Sequence, residues 1–355
     1  MTSRDPTLGD DEVRRMRSVA QHLHRPRRHS VQQLVRHLTG VQAQVLSAAG
    51  LALRARTDGL TSASVDRARL HDRSIVLTWA MRGTLHLIAA EDHGWLVPLT
   101  TEPRIANAHR RLQQEGMTRD QSARALRLIE RMLERDGPLT RAKIAERLRR
   151  RSIPTEGQAM AHLLWLAAAE GIACYGPDRD SGRTFVLARD WLGEPERLDR
   201  DAALKELAVR YLRSHGPAEP TDLAYWSGLR ATDSKLAWRA IEDRLVEALT
   251  TRGPMWSLKN QNGEAPRRLV RLLPSFDEYL LGWKDRSFAV DAAHAKEINR
   301  GGGWLYPVVL VDGCVVGTWK RDGTTTEFHL FSCLPPATRR TATQEASRIE
   351  EFYSR

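Results

Sequence analysis

The sequence predicts an α+β protein, mainly α, on three observations. Helical periodicity fills most of the first two thirds of its 355 residues. A helix, Gly-Pro, helix pattern occurs twice at a constant offset. The last third is rich in β-branched residues, with glycine turns between apolar runs. The length allows about two to three domains. No apolar run approaches the roughly 18 residues that a membrane helix needs. The polar segment Met1–Gly9 lacks the apolar stretch of a secretory leader. Cys174, Cys314 and Cys333 lie far apart, which argues against a disulfide framework and for a reducing cytosol.

The elements follow in order. Asp10–His24 reads as a helix, with Asp10 as its N-cap and acidic residues in the first turn. Ser30 is placed to cap a second helix over Ser30–His37. Leu46–Arg56 is small and apolar on most sides, so it should be buried. Ser64–Leu70 is a fourth helix. Ile75–Leu87 carries the β-branched and aromatic residues of strands. Ala90–Trp95 opens a further helix, which Pro98 and Pro103 should interrupt.

Ile129–Ile144 then matches Ala208–Leu223 at an offset of 79. Leu133 pairs with Leu212, Gly137-Pro138 with Gly216-Pro217, Ile144 with Leu223 and Ala145 with Ala224. Third helices are expected over Glu156–Glu170 and Thr232–Glu242. Ile172–Leu187 and Leu245–Leu258 carry hairpin signatures around Gly and Pro. Three helices and a hairpin make a winged helix, here in tandem.

Leu269–Leu273, Trp304–Val311, Val315–Lys320 and Phe328–Phe331 read as strands. Asp312-Gly313 between apolar runs is a hairpin turn. The strands predict a small antiparallel β-barrel, and Thr338–Tyr353 a terminal helix. The expected domains are a winged helix over 1–118, a second over 119–194, a third over 195–262, the barrel over 263–336 and the helix over 337–355.

The formal net charge is +11. Residues 1–177 hold 28 Lys and Arg against 18 Asp and Glu, a net of +10, which leaves +1 for the rest. A polyanion partner fits, nucleic acid first. Only 7 of the 55 basic residues are Lys, so a GC-rich coding bias contributes to the surplus of Arg.

Several chemistries find no support. His22, His24, His29 and His37 cluster without acidic or Cys ligands at a zinc spacing, and read as a solvated basic arm; no metal is expected. There is no phosphate-binding G-x-x-x-x-G-K-[ST], no G-x-G-x-x-G after a strand, and no G-x-S-x-G elbow. No cofactor is expected. Gln42 and Gln44, in Gly-Val-Gln-Ala-Gln, share a face only if the backbone there is extended or turned. Two neutral amides could hold a water or flank a cationic sugar without titrating. Arg82, Thr84 and His86 would align on one strand face, suited to a phosphate or base contact. Asp277 and Asp285, amid aromatics, read as caps and ion pairs ahead of catalysis.

Gly-Val-Gln42-Ala-Gln44 resembles the Q-Φ-Q motif of the winged-helix DNA-binding family that holds the AlkZ and YcaQ DNA glycosylases. Met81-Arg-Gly-Thr-Leu-His86, the stretch Leu-Pro-Ser-Phe-Asp277-Glu-Tyr-Leu-Leu-Gly, and Gly302-Gly-Trp-Leu-Tyr-Pro with a later Val-Val-Gly-Thr-Trp319 are similar to its other signatures. The resemblance spans roughly residues 10 to 352. YcaQ relatives carry Asp at the second motif position, so Gln44 brings this chain nearer AlkZ. The resemblance implies tandem winged helices, a β-barrel and a basic channel. It implies a monofunctional glycosylase excising N-alkylated (N7) purines, with interstrand crosslinks as further substrates. Gln42 and Gln44 would be catalytic. Arg82, Thr84, His86, Arg149, Arg150, Arg151, Arg179 and Arg183 would bind DNA. The implied partner is double-stranded DNA with alkylated bases, met by a monomer in the cytoplasm, nucleoid-associated when bound. The rival class is a non-catalytic winged-helix regulator, which should read bases through a recognition helix. Few base-reading side chains in Glu156–Glu170 disfavour it.

Overall fold

The computed structural model describes residues 7–25, 28–179, 182–261, 268–299, 301 and 303–354. Asp180-Ser181 at the tip of the expected hairpin, Gly302 of the quoted glycine stretch and most of Met1–Gly9 lie outside them. The protein is mixed, with 52% helix and 20% strand. It divides into two compact units, residues 1–66, 204–226 and 231–355 forming one and 67–203 with 227–230 the other.

The first unit begins with α1 (Asp10–Ala20), α2 (Val31–Leu38), β1 (Val41–Gln42), α3 (Leu46–Arg54) and α4 (Ser62–Asp66). Gly9 is the N-cap of α1, not Asp10, and the Glu12 carboxylate accepts its N–H at 2.8 Å. Asp10 is released to an ion pair with Arg252. Ser30 caps α2 as expected, with Gln33 closing the capping box. Helix α3 is buried nearly throughout.

The second unit holds β2 (Ile75–Trp79), β3 (Leu85–Ala89), α5 (His93–Gln114), α6 (Arg119–Asp136), β4 (Leu139–Thr140), α7 (Arg141–Arg149), α8 (Ala159–Ala169), β5 (Ala173–Arg179), β6 (Gly182–Leu187) and α9 (Ala188–Leu192). Helix α5 runs through Pro98 and Pro103, where the sequence predicts a break. Prolines remove two N–H donors. The helix continues because its buried face seats Trp95, Leu96 and Leu99 in the core. Strands β4, β6 and β5 form one antiparallel sheet in that order.

The helix boundaries keep the same offset in the structure. Helix α6 ends at Asp136 and α10 (Arg200–His215) ends 79 residues later; α7 begins at Arg141 and α11 (Pro220–Ser227) begins 79 later. In the first copy Leu139 pairs with Phe185 on the outgoing hairpin strand. In the second, Ala218 bridges Trp256 on β8 (Gly253–Leu258), the partner of β7 (Leu245–Thr250), after α12 (Ala231–Arg239).

The chain closes with β9 (Val270–Leu273), α13 (Glu278–Leu281), α14 (Ala295–Ile298), β10 (Val308–Val311), β11 (Cys314–Asp322), β12 (Thr325–Leu330) and α15 (Pro336–Ser354). The four strands lie in the order β12-β11-β10-β9, antiparallel throughout. This is an open sheet, not the expected barrel, because four strands are too few to close around a packed interior. Asp312 and Gly313 make the two-residue turn, both at positive φ (49° and 83°). Helix α15 packs on β9 and is anchored by Glu345, which takes two hydrogen bonds from Arg25.

Candidate active site and nucleic-acid interface

Helix α2 ends on Thr39 at φ 61°, and Gly40 follows at φ 123°. Two successive positive-φ residues turn the chain into β1, which presents Gln42. A β-branched residue in the left-handed region is strained by about 1–3 kcal/mol, so surrounding contacts must hold this turn in place. One of them is direct. The backbone N–H of Gln42 donates to Glu278 Oε1 at 2.9 Å, and Trp226 Nε1 donates to Glu278 Oε2 at 3.0 Å. Glu278 is wholly buried. The strand stops after Gln42 and the chain bends at Gln44. Gln42 is therefore 6% exposed while Gln44 is open to solvent.

Glu278 is itself held from behind. Its neighbour Asp277 forms a buried pair with Arg56, at 2.8 and 2.9 Å, and caps α13 by accepting the Tyr279 N–H at 2.9 Å. Arg56 also donates to Gln21 Oε1 at 2.6 Å. Asp277 is thus a cap and an ion-pair partner, as the sequence indicates, and Asp285 pairs with Arg252. The aromatic neighbours Tyr211, Trp226 and Trp283 enclose His215. Burial drives the His215 imidazole well below its ordinary pKa, so it is neutral at physiological pH.

The family model for AlkZ-like DNA glycosylases matches residues 35–352. This chain belongs to the AlkZ-like DNA glycosylase family. An interstrand DNA cross-link repair glycosylase of Streptomyces sahachiroi is 32% identical over 322 residues, with 82% of each chain covered. The solved structure of the DNA glycosylase AlkZ from Streptomyces sahachiroi superposes with a TM-score of 0.86 at 27% identity, covering 99% of this chain and 98% of that one.

In this AlkZ-like chain the remaining candidates lie on the second unit. Arg82, Thr84 and His86 do not share a strand face. Arg82 (φ 58°) and Gly83 (φ 72°) turn the chain between β2 and β3, so only His86 is in a strand. His86 is 0% exposed, donates its Nδ1–H to the Thr84 carbonyl (2.9 Å), and has its pKa lowered to about 3 by burial and by the Arg82 charge. A buried neutral ring offers no surface to a phosphate. Arg82 and Thr84 are half-buried.

Arg149, Arg150 and Arg151 are exposed at the end of α7, Arg150 paired with Glu146. Arg179 is exposed on the hairpin, and Arg183 lies half-buried with its guanidinium 5.9 Å from the Tyr175 ring. The histidines of the expected solvated arm are instead packed: His22 stacks on His37 at 3.7 Å and on His29 at 5.0 Å. Burial lowers His22 to about 3 and, with the charges of Arg213 and Arg56, His37 to about 4. Among the described residues no group of three or more His, Cys, Asp or Glu could hold a metal ion. No described helix is long and apolar enough to cross a membrane.

Sequence reasoning missed Glu278, Arg56 and Trp226 as supports of the motif. Glu278 was legible as a member of a family signature. Its partner was not, because Gln42 is 236 residues away.

Proposed function

We propose that the protein is a monofunctional DNA glycosylase that excises N7-alkylated purines and unhooks interstrand crosslinks formed through such bases. The observation that carries this reading is the support of Gln42. A buried carboxylate from one family signature fixes the backbone of the first glutamine of another. Such preorganisation has a purpose if the amide must meet a transition state.

An N7-alkylated purine is cationic. When its N-glycosidic bond breaks, the bonding pair neutralises the purine, which departs. Water then adds to C1′ of the oxocarbenium-like deoxyribose and sheds a proton to solvent, leaving an abasic site. Gln42 and Gln44 would orient that water and the sugar through their amide oxygens. Amides without a basic pKa give little help to a poor leaving group, so unmodified bases are spared. No Lys precedes Lys143, which argues against a Schiff-base lyase step at the motif.

We read the two repeated modules as winged helices and the exposed Arg149, Arg150, Arg151 and Arg179, with Arg82, Thr84 and Arg183, as groups that hold duplex DNA. A monomer acting on chromosomal DNA in the cytoplasm fits this role. A regulator is disfavoured because α8, the helix that would read bases, is largely buried in its own unit. The test is to incubate N7-methylguanine duplex with wild type and with the Gln42→Ala/Gln44→Ala variant, then cleave abasic sites with alkali. Equal product from both would refute the assignment.

A further inference from the structure

The second unit contains a cavity of about 520 Å³ that the excision chemistry leaves unused. Trp79, Tyr175 and Phe185 form its aromatic wall: Tyr175 and Phe185 lie 4.6 Å apart between centroids, and Trp79 sits 5.1 Å from Tyr175. Arg141 and Arg183 also line it, and no carboxylate among the described residues does. Burial raises the pKa of the Tyr175 hydroxyl, while the charges of both arginines oppose that rise, so both cations act on one spot.

Other parts of its lining come from helix starts. Thr140 caps α7, accepting the Lys143 N–H at 3.4 Å, and the first turn of α8 contributes Met160 and Ala161. Helix N-termini carry unsatisfied N–H groups and partial positive charge, which attract anions. An independent feature points to a missing ligand. Thr155 lines the same cavity and is only 8% exposed, yet its hydroxyl has no hydrogen-bond partner among the described residues. A buried orphan hydroxyl is costly.

A wall of aromatic rings, two arginines, two helix starts and an orphan hydroxyl together describe a planar ring joined to an anion. The volume falls in the range of small-molecule sites. We propose that this cavity binds an unpaired nucleotide, the base lying on the Trp79 and Tyr175 side and the phosphate between Arg141, Arg183 and Thr155. The nucleotide can come from an unpaired position in a DNA strand or from solution. The inference rests on this cavity and not on base excision, so binding without excision leaves it standing.

The test titrates the full chain with deoxyadenosine 5′-monophosphate, deoxyadenosine, inorganic phosphate and a short single-stranded oligonucleotide. The monophosphate or the oligonucleotide should bind more tightly than either half alone. Binding by the oligonucleotide only assigns the site to DNA, and binding by the monophosphate assigns it to a free nucleotide; both support the cavity. Trp79→Leu should weaken binding about tenfold by removing a stacking surface. Arg141→Ala, an exposed change safe for folding, should lower the salt slope of oligonucleotide binding by about 0.7. Thr155→Val, which keeps the shape, should weaken the monophosphate but not deoxyadenosine. The proposal is overturned if no nucleotide binds, or if Arg141→Ala and Thr155→Val both leave affinity and salt slope unchanged.

Discussion

The backbone N–H of Gln42 and the carboxylate of Glu278 are joined across 236 residues by a 2.9 Å hydrogen bond. The second oxygen of that carboxylate takes the Trp226 indole N–H. One buried acid thus ties the glutamine motif to two other parts of its unit, and the motif inherits their rigidity.

Removing that acid should therefore loosen the motif. Glu278→Ala leaves two buried donors without this acceptor, at about 1–3 kcal/mol each. Urea denaturation should show a lower midpoint with an unchanged slope. Glu278→Gln keeps one carbonyl but turns an amide N–H toward a donor. It should lower the excision rate at temperatures where the protein is still folded. An unchanged midpoint and rate in both variants would remove Glu278 from any positioning role.

The Arg56–Asp277 pair is inaccessible to solvent on both sides. Deleting one partner strands the other charge, so Arg56→Met should destabilise by about 3–5 kcal/mol. Arg56→Met/Asp277→Leu should lose less than the sum of the two single changes. Strict additivity in that cycle would show that the pair is not coupled.

Stability should fall on the acid side of neutrality. His86 and His22 are held near 3 and His37 near 4, against about 6.5 when unfolded. Below pH 6.5 the unfolded chain therefore binds protons that the folded chain refuses. The stability is present above 6.5 and is lost as pH falls toward 4 and 3. Each such imidazole contributes a slope of about 1.4 kcal/mol per pH unit in that window. His86→Leu should flatten the acid limb by about one proton, measured by denaturation across pH 4 to 6.5. A limb of unchanged slope would mean that His86 gains its proton while folded.

The exposed arginines at the end of α7 offer a separate readout. If Arg149 and Arg151 touch phosphates, each change to Ala should reduce the log–log salt slope of duplex binding by nearly one unit. The loss should be the same for random and lesion-bearing duplex. A slope that does not move assigns those arginines to solvent.

Much of the fold was legible because its signals are local. Ser30 and Gln33 cap α2 within four residues, Asp312-Gly313 turns a hairpin between adjacent strands, and the Gly-Pro breaks keep the 79-residue spacing through two helix ends. Two of the departures show why local signals fall short. Local propensity was outweighed in α5, where Pro98 and Pro103 remain helical because the helix packs Trp95, Leu96 and Leu99 into the core. Alternation was misapplied at Arg82, because the Arg82-Gly83 turn separates β2 from β3 and His86 then falls inside.

By itself the sequence determined the mainly helical α+β class, the 79-residue spacing of two pairs of helix boundaries, the closing hairpins and the neutral, lysine-poor character of the glutamine segment. These follow from spacing, capping and turn chemistry, which act over a few residues. Only the tertiary structure decided that Gln42 is buried and Gln44 exposed, that Glu278 braces the first of them, that four strands form an open sheet, and that aromatic rings, arginines and an orphan threonine meet in one cavity. Burial and long-range hydrogen bonds depend on which segments meet in space, and no periodicity in one segment encodes its distant partner.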